Sequence, residues 1–403
     1  MRERAQHDHA LRAALIGLTG LAAAMGIGRF AFTPMLPLMQ VHDSVSLPQG
    51  SYLASANYVG YLLGALLSFA LNPRPADAAR FGLAAVAIST LAMAFTSSFL
   101  AWGALRLIAG IASAFVLVGV SAWALSVLAA HQRPSWSGLV FAGVGTGILV
   151  AGLAALAIGA IGFSPSLGWL LLGVVASVTA LFVACSITQT SAWPMVVRRP
   201  AAPDALTRTE WRLIVCYGAF GFGYIIPATF LPAAARALVD DPMMFGWIWP
   251  VFGLAAAVST IVAAAVLGNF PPRRSWAIGQ GIMAVGVALP AIQMSLFLMI
   301  VSAICVGGTF MVITMAGMQE ARRVGGRSAP RLMAAMTAAF ATGQLAGPLT
   351  VTATGSAAEA IRGPSLLAAA LLFLTTLVLL VGSETTGQQD STNSATRSPP
   401  WNS

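Results

Sequence analysis

Apolar residues run along this chain in long stretches, separated by short polar segments rather than by polar positions spaced within them. Twelve such stretches fall at approximately 12–39, 49–71, 79–97, 99–129, 136–162, 166–189, 211–236, 243–268, 275–294, 296–320, 331–355 and 364–383. Each is close to the roughly 20 residues that a helix needs to cross a bilayer core of about 30 Å. The pattern predicts an all-α polytopic membrane protein of twelve transmembrane helices. The first stretch stays apolar well past Ala22-Ala23-Ala24, beyond the h-region of a cleaved leader, so it is expected to be the first span.

The polar punctuation divides the chain in two. The longest interruption between spans, from Ser191 to Arg212, follows the sixth span and carries Pro194, Pro200 and Pro203. The expected organisation is a cytoplasmic N-terminus at 1–11, a six-helix bundle at 12–190, a linker at 191–210, a second bundle at 211–383 and a disordered tail at 384–403. The halves echo each other. Gly26-Ile-Gly and Leu36-Pro37 in the first span recur as Gly221-Phe-Gly and Leu231-Pro232 in the seventh, both 195 residues on. Phe141-Ala142 in the fifth span recurs as Phe340-Ala341 in the eleventh, 199 residues on. Repeats of this kind are how 6+6 transporters are built, with substrate bound between pseudo-symmetric halves near the midplane.

Composition narrows the function. Apolar residues make up 58% of the chain and charged residues 8%, against about 25% in soluble domains. That excludes a soluble enzyme, a disordered chain, a disulfide scaffold and a nucleic-acid-binding module. The basic residues number 21, all of them Arg. A P-loop cannot be written without Lys, so an ATP-driven pump is excluded. No paired carboxylates, nucleophile with its base, or set of metal ligands appears, so neither catalysis nor a cofactor is expected; His7-x-His9 alone is a weak metal signal. Seventeen arginines fall in the N-terminus, the even-numbered loops and the tail, against two, Arg236 and Arg362, in the odd-numbered loops. The positive-inside rule then puts both termini in the cytoplasm, in what is expected to be a bacterial inner membrane.

Arg29 and Arg106 are the two arginines that topology leaves over, each inside a span. A cation there costs about 2.5–3.5 kcal/mol on insertion scales. Arg29 lies about 25 Å along the first span from Arg12, and Arg106 about 10 Å into the fourth from Phe99. With no Asp or Glu deep in any span, two such guanidiniums suit an anion. The competing readings are snorkelling of Arg29 to the outer headgroups and a structural or coupling role for Arg106. Asn57, Tyr224 and Gln344 are further polar residues at cavity depth, where interhelical hydrogen bonding is the alternative to substrate contact. Tyr217 shares a helix face with Tyr224. Glu320 is the acid nearest the interior, so proton coupling would have to use Glu320, the substrate or Arg-bound water. Small residues four apart, such as Gly60 and Gly64, Gly143 and Gly147, or Gly343 and Gly347, suit close helix packing. Trp247 and Trp249 suit an aromatic belt.

Several segments resemble the major facilitator superfamily, in particular its YbfB/YjiJ-type branch. They are Gly26-Ile-Gly-Arg-Phe-Ala-Phe-Thr-Pro-Met-Leu-Pro, Ser55-Ala-Asn-Tyr-Val-Gly-Tyr, Tyr217-Gly-Ala-Phe-Gly-Phe-Gly-Tyr-Ile-Ile-Pro-Ala-Thr-Phe-Leu-Pro, and Phe340-Ala-Thr-Gly-Gln-Leu-Ala-Gly-Pro. Arg106-x-x-x-Gly110 resembles the superfamily signature of the fourth helix. The resemblance implies a secondary transporter in which the first and fourth helices line a central cavity. The superfamily's basic loop between helices two and three is replaced by Asn72-Pro-Arg-Pro-Ala-Asp-Ala-Ala-Arg80, where Asp77 and Arg80, with Glu320, are candidates for a cytoplasmic gate. The expected function is transport of a small organic solute by alternating access, an organic anion held near Arg29 and Arg106. The alternatives are an efflux carrier for neutral or amphiphilic compounds with the arginines structural or coupling, and a non-transporting scaffold. A small-molecule substrate and the bilayer are the expected partners of a monomer.

Overall fold

Helix starts are written into the sequence. Ser46 caps α3 (Leu47–Leu71): its backbone N–H donates to Gln49 Oε1 at 2.8 Å while its own hydroxyl accepts from the Gln49 N–H. Ser98 and Ser295 cap α5 (Phe99–Ala130) and α11 (Leu296–Gly325) through the hydroxyl alone, which accepts from the Ala101 and Leu298 N–H groups. Pro75, Pro165 and Pro272 open α4 (Pro75–Ala92), α7 (Pro165–Ser186) and α10 (Pro272–Ile292), where a missing N–H costs nothing. Pro75 and Pro272 are 197 residues apart, and so are Ser98 and Ser295, which extends the internal echo to the helix caps. The remaining helices are α1 (Arg2–Leu21), α2 (Phe32–His42), α6 (Ser137–Ile161), α8 (Arg208–Arg236), α9 (Ile248–Val266), α12 (Ala329–Leu349) and α13 (Ala357–Val381).

The computed structural model describes residues 2–187, 206–236, 247–267, 270–350 and 357–381. Most of the expected linker and all of the expected tail lie outside them. Among the described residues eleven apolar segments are long enough to span a membrane, and one of these, Phe297–Gly347, is folded into α11 and α12 by a turn at Gly326–Ser328. The architecture is therefore twelve membrane helices. The first of them is composite: α1, a π-helical stretch at Ala22–Ile27, a turn, then α2. Its helix also begins at Arg2, ten residues before the apolar stretch.

Each half is a six-helix bundle with the same internal pairings. In the first, α1 packs on α6, α3 on α5, and α4 on both α5 and α7. In the second, α8 packs on α12, α9 on α11, and α10 on both α11 and α13. The halves meet along two symmetric seams, α6 against α9 and α3 against α12. Side chains such as Phe81, Leu100, Val178, Leu181 and Phe297 stand exposed on the outside, as lipid-facing groups do. The glycine pairs act within bundles. A methyl at Gly60 or Gly64 would run into the Leu107 or Ile111 carbonyl of α5, and one at Gly143 into that of Leu18. Gly145 is different, because it faces Ala257 and the Gly253 carbonyl of the opposite bundle.

Candidate functional site

The first span breaks where two neighbours press closest. A Cβ on Gly26 would collide with the Gly147 backbone of α6, and one on Gly28 with Val86 of α4. Through this stretch the hydrogen bonds lengthen to i→i−5: Gly28 N–H donates to the Ala23 carbonyl at 2.9 Å and Phe30 N–H to Met25 at 3.1 Å. Thr33 N–H then turns back to Phe30 at 3.3 Å, so it does not serve the Arg29 carbonyl.

α5 supplies the missing donors. Arg106 Nη1 donates to the Gly28 carbonyl and Nη2 to the Arg29 carbonyl, both at 3.0 Å. Its guanidinium lies 4.8 Å from the centre of the Phe32 ring. Two turns on and on the same face, Ser113 Oγ reaches the Ala24 carbonyl at 2.8 Å. Asn57 of α3 donates its Nδ2 to the Arg106 backbone carbonyl at 2.9 Å, tying α3 into the cluster.

Arg29 leaves this break and crosses to the other half. Nη2 donates to Oε1 of Gln344 on α12. The guanidinium carbon sits 3.6 Å above the Tyr61 ring, 5.3 Å from Phe30 and 5.8 Å from Phe340. Arg29 is 2% exposed, so it is folded into the interior rather than extended toward headgroups. Nε and Nη1 of Arg29 and Nε2 of Gln344 have no hydrogen-bond partner, and among the described residues no carboxylate pairs with Arg29.

Around this cation lies a continuous aromatic network. Tyr224 stacks on Phe310 at 4.4 Å and 13°, and Phe340 contacts Tyr217, Phe220 and Tyr224 at 5.7, 4.9 and 5.9 Å. Phe30 of the first bundle meets Phe310 edge-on at 5.9 Å and Trp249 at 6.4 Å. Trp249 is 7% exposed and stacked on Phe252, which corrects its expected place in a membrane belt; Trp247 is 53% exposed. Arg29, Gln344, Tyr217 and Tyr224 thus come together. Asn57 and Arg106 lie in the adjoining cluster, bound to backbone carbonyls. Tyr61, Phe310 and Phe340 belong to the site although the sequence pattern assigned none of them a role; Tyr61 stands one turn from Asn57 on the same face, and that spacing was the available signal.

The candidate gate residues sit at the arginine-rich end. Asp77 pairs with Arg80 at 3.8 Å within α4, and Arg80 also donates to the Ile187 carbonyl beyond α7 at 2.6 Å. Glu320, buried, is held through both carboxylate oxygens by Arg323 one turn on, at 2.8 and 2.7 Å. Contacts that cross between bundles here include Gln319 Nε2 donating to Ser137 Oγ at 2.6 Å and Arg331 lying 4.7 Å from the Phe69 ring. Beside them a cavity of about 330 Å³, lined by Leu125, Ser137, Ala264, Met315, Gln319 and Arg322 among others, separates the halves.

Among solved structures, the human organic anion transporter MFSD10 (TETRAN) aligns with a TM-score of 0.73 at 15% identity, over 92% of this chain and 99% of its own. That likeness is one of fold. A search of curated proteins finds no match. The family described as "Uncharacterised MFS-type transporter YbfB" matches residues 21–380. With that match running from the first span to the last, through two bundles of six helices, the chain belongs to the YbfB family of MFS-type transporters.

Proposed function

We propose that this secondary transporter carries an organic anion by alternating access, with Arg29 as the group that holds the anion and Arg106 as the residue that positions it. One observation carries the reading. A guanidinium is buried between the bundles, bonded across them to a neutral amide, with two nitrogens unpartnered. A buried cation left so incompletely satisfied is costly, and a carboxylate offers it the acceptors and the charge that Gln344 lacks. Release of the Arg29–Gln344 bond frees the bundles to rock about the two seams. Arg106 contributes through the backbone, since both of its bonds fix the carbonyls that orient Arg29. MFSD10 is by name an organic anion transporter, which is consistent in class, though the likeness supports the fold alone. The positive-inside bias supports a cytoplasmic location for the arginine-rich end and its cavity.

The aromatic network favours a second reading, a neutral aromatic solute with Arg29 as packing. One experiment separates the two. In proteoliposomes, Arg29→Ala is expected to abolish counterflow of organic anions, at least tenfold below the parent protein at equal reconstituted amounts. Undiminished counterflow in that variant refutes the Arg29-centred site.

A further inference from the structure

The contacts that close the centre are themselves a template for what opens it. Across the bundle interface the first half contributes one cation, Arg29, and two rings, Phe30 and Tyr61. The second half contributes an amide oxygen and the rings of Trp249, Phe310 and Phe340. When the halves part, Arg29 loses Gln344 Oε1, and Phe310 loses the edge of Phe30.

We infer that the substrate is an aromatic monocarboxylate, a single ring bearing one carboxylate, whose oxygens take the place of Gln344 Oε1 on Arg29 while its ring takes the place of Phe30 against Phe310. The inference rests on the reading of Arg29 as the anion's partner. Three features carry it beyond that reading. Among the described residues the site holds one cation with two idle nitrogens, Arg29, because Arg106 commits Nη1 and Nη2 to two carbonyls, faces Phe32 and keeps only Nε free. A second anionic group would find Nη1 and Nη2 of Arg106 already committed to carbonyls, with few free N–H donors beyond those of Arg29, which disfavours dicarboxylates and phosphate. The remaining lining is aromatic, with Tyr224 and Phe310 stacked and Phe340 touching both Arg29 and Tyr224. Such a surface suits a flat ring, offset or edge-on, better than a short aliphatic chain. Gln344 Oε1 occupies in the closed centre the position a carboxylate oxygen takes in the loaded one.

The test uses the purified full-length chain, with thermal stabilisation titrated against benzoate, phenylacetate, acetate, succinate, inorganic phosphate and benzyl alcohol, followed by counterflow in proteoliposomes. Benzoate or phenylacetate is expected to bind at least tenfold tighter than acetate and than benzyl alcohol, with succinate and phosphate without effect, and to lose binding in Arg29→Gln. Acetate equal to benzoate overturns the aromatic assignment and leaves anion transport standing. Succinate or phosphate binding tighter than benzoate overturns the single-charge assignment in the same way. Benzyl alcohol equal to benzoate, or no response to any anion, overturns this inference together with the anion reading beneath it. Phe310→Leu supplies a second measurement within the site: it is expected to narrow the benzoate-to-acetate ratio at least threefold, and an unchanged ratio in the folded variant counts against the ring's assigned place. If that variant does not fold, the comparison of ligands on the parent protein decides alone.

Discussion

A guanidinium taken out of water is tolerated to the extent that its N–H groups find acceptors, and by that measure the two buried arginines differ. Arg106 serves two backbone carbonyls that the break in the first span leaves without helical donors. Its loss in Arg106→Ala strands both acceptors, at about 1–3 kcal/mol each. The expected result is a fall of several degrees in the unfolding midpoint of the purified protein, with a lower folded yield. Arg29→Ala removes a cation whose partners are all neutral and which has two idle nitrogens, so its midpoint is expected to match or exceed that of the parent while transport is lost. Equal destabilisation by the two variants contradicts this division of roles. The sequence was enough to single out both arginines, together with Asn57, Tyr224 and Gln344, because a rise of about 1.5 Å per residue brings them to similar depths. It was not enough to separate their roles. Depth along a helix says nothing of azimuth across a bundle, and the carbonyls that engage Arg106 become acceptors only where Gly26 and Gly28 let the neighbouring helices in.

Among the helices, the seams within bundles and the seams between them are built from the same small residues but answer to different demands. Gly60 meets the Leu107 carbonyl inside the first bundle, and Gly145 meets Gly253 and Ala257 across the two. Backbone cannot yield inside a bundle, so Gly60→Val is expected to prevent assembly, seen as aggregated or missing protein on size-exclusion chromatography. Gly145→Val wedges two bodies that move past each other in the proposed transport cycle. It is expected to retain at least half the monodisperse yield with transport at least tenfold lower. Loss of folded protein in both variants, or in neither, contradicts the distinction. Much of this layer was readable beforehand. Apolar length gave the spans. Ser46, Ser98 and Ser295 mark helix starts that apolar length alone did not use. The composite first span was not readable. Pro34 and Pro37 are the local helix-disturbing residues of this span, but the irregular backbone lies upstream of them at Ala22–Ile27, where tertiary contact at Gly26 overrides local preference. The helical extension to Arg2 was hidden for a simpler reason, since polar helix does not register in a hydropathy pattern.

At the scale of the whole molecule, the question is what holds the two bundles together at the centre and what lets them go. Phe30 against Phe310 and Trp249 is a contact between rings, and Arg29 on Gln344 is a polar bond that joins the halves at the centre, apart from the Gln319–Ser137 bond at the arginine-rich end. A guanidinium bonded to an amide is charge-assisted on one side only. Bonded to a carboxylate in a water-poor interior it is roughly twice as strong as a neutral pair and closes the charge balance. Gln344→Glu keeps the size and reach of the side chain and supplies that carboxylate from within the protein. It therefore competes with any anionic substrate for Arg29 and fastens α12 to the first span. The expected phenotype has three parts that must occur together: a raised unfolding midpoint, loss of stabilisation by benzoate, and transport reduced at least tenfold. Gln344→Ala is the counterpart. It removes the latch without offering a rival anion, so stabilisation by benzoate is expected to persist or deepen, because the ligand no longer has to displace an acceptor from Arg29. Anion counterflow through Gln344→Glu at the parent rate would mean that Arg29 neither bridges the bundles in the transport cycle nor meets the substrate, and the central site would have to be sought elsewhere along the interface.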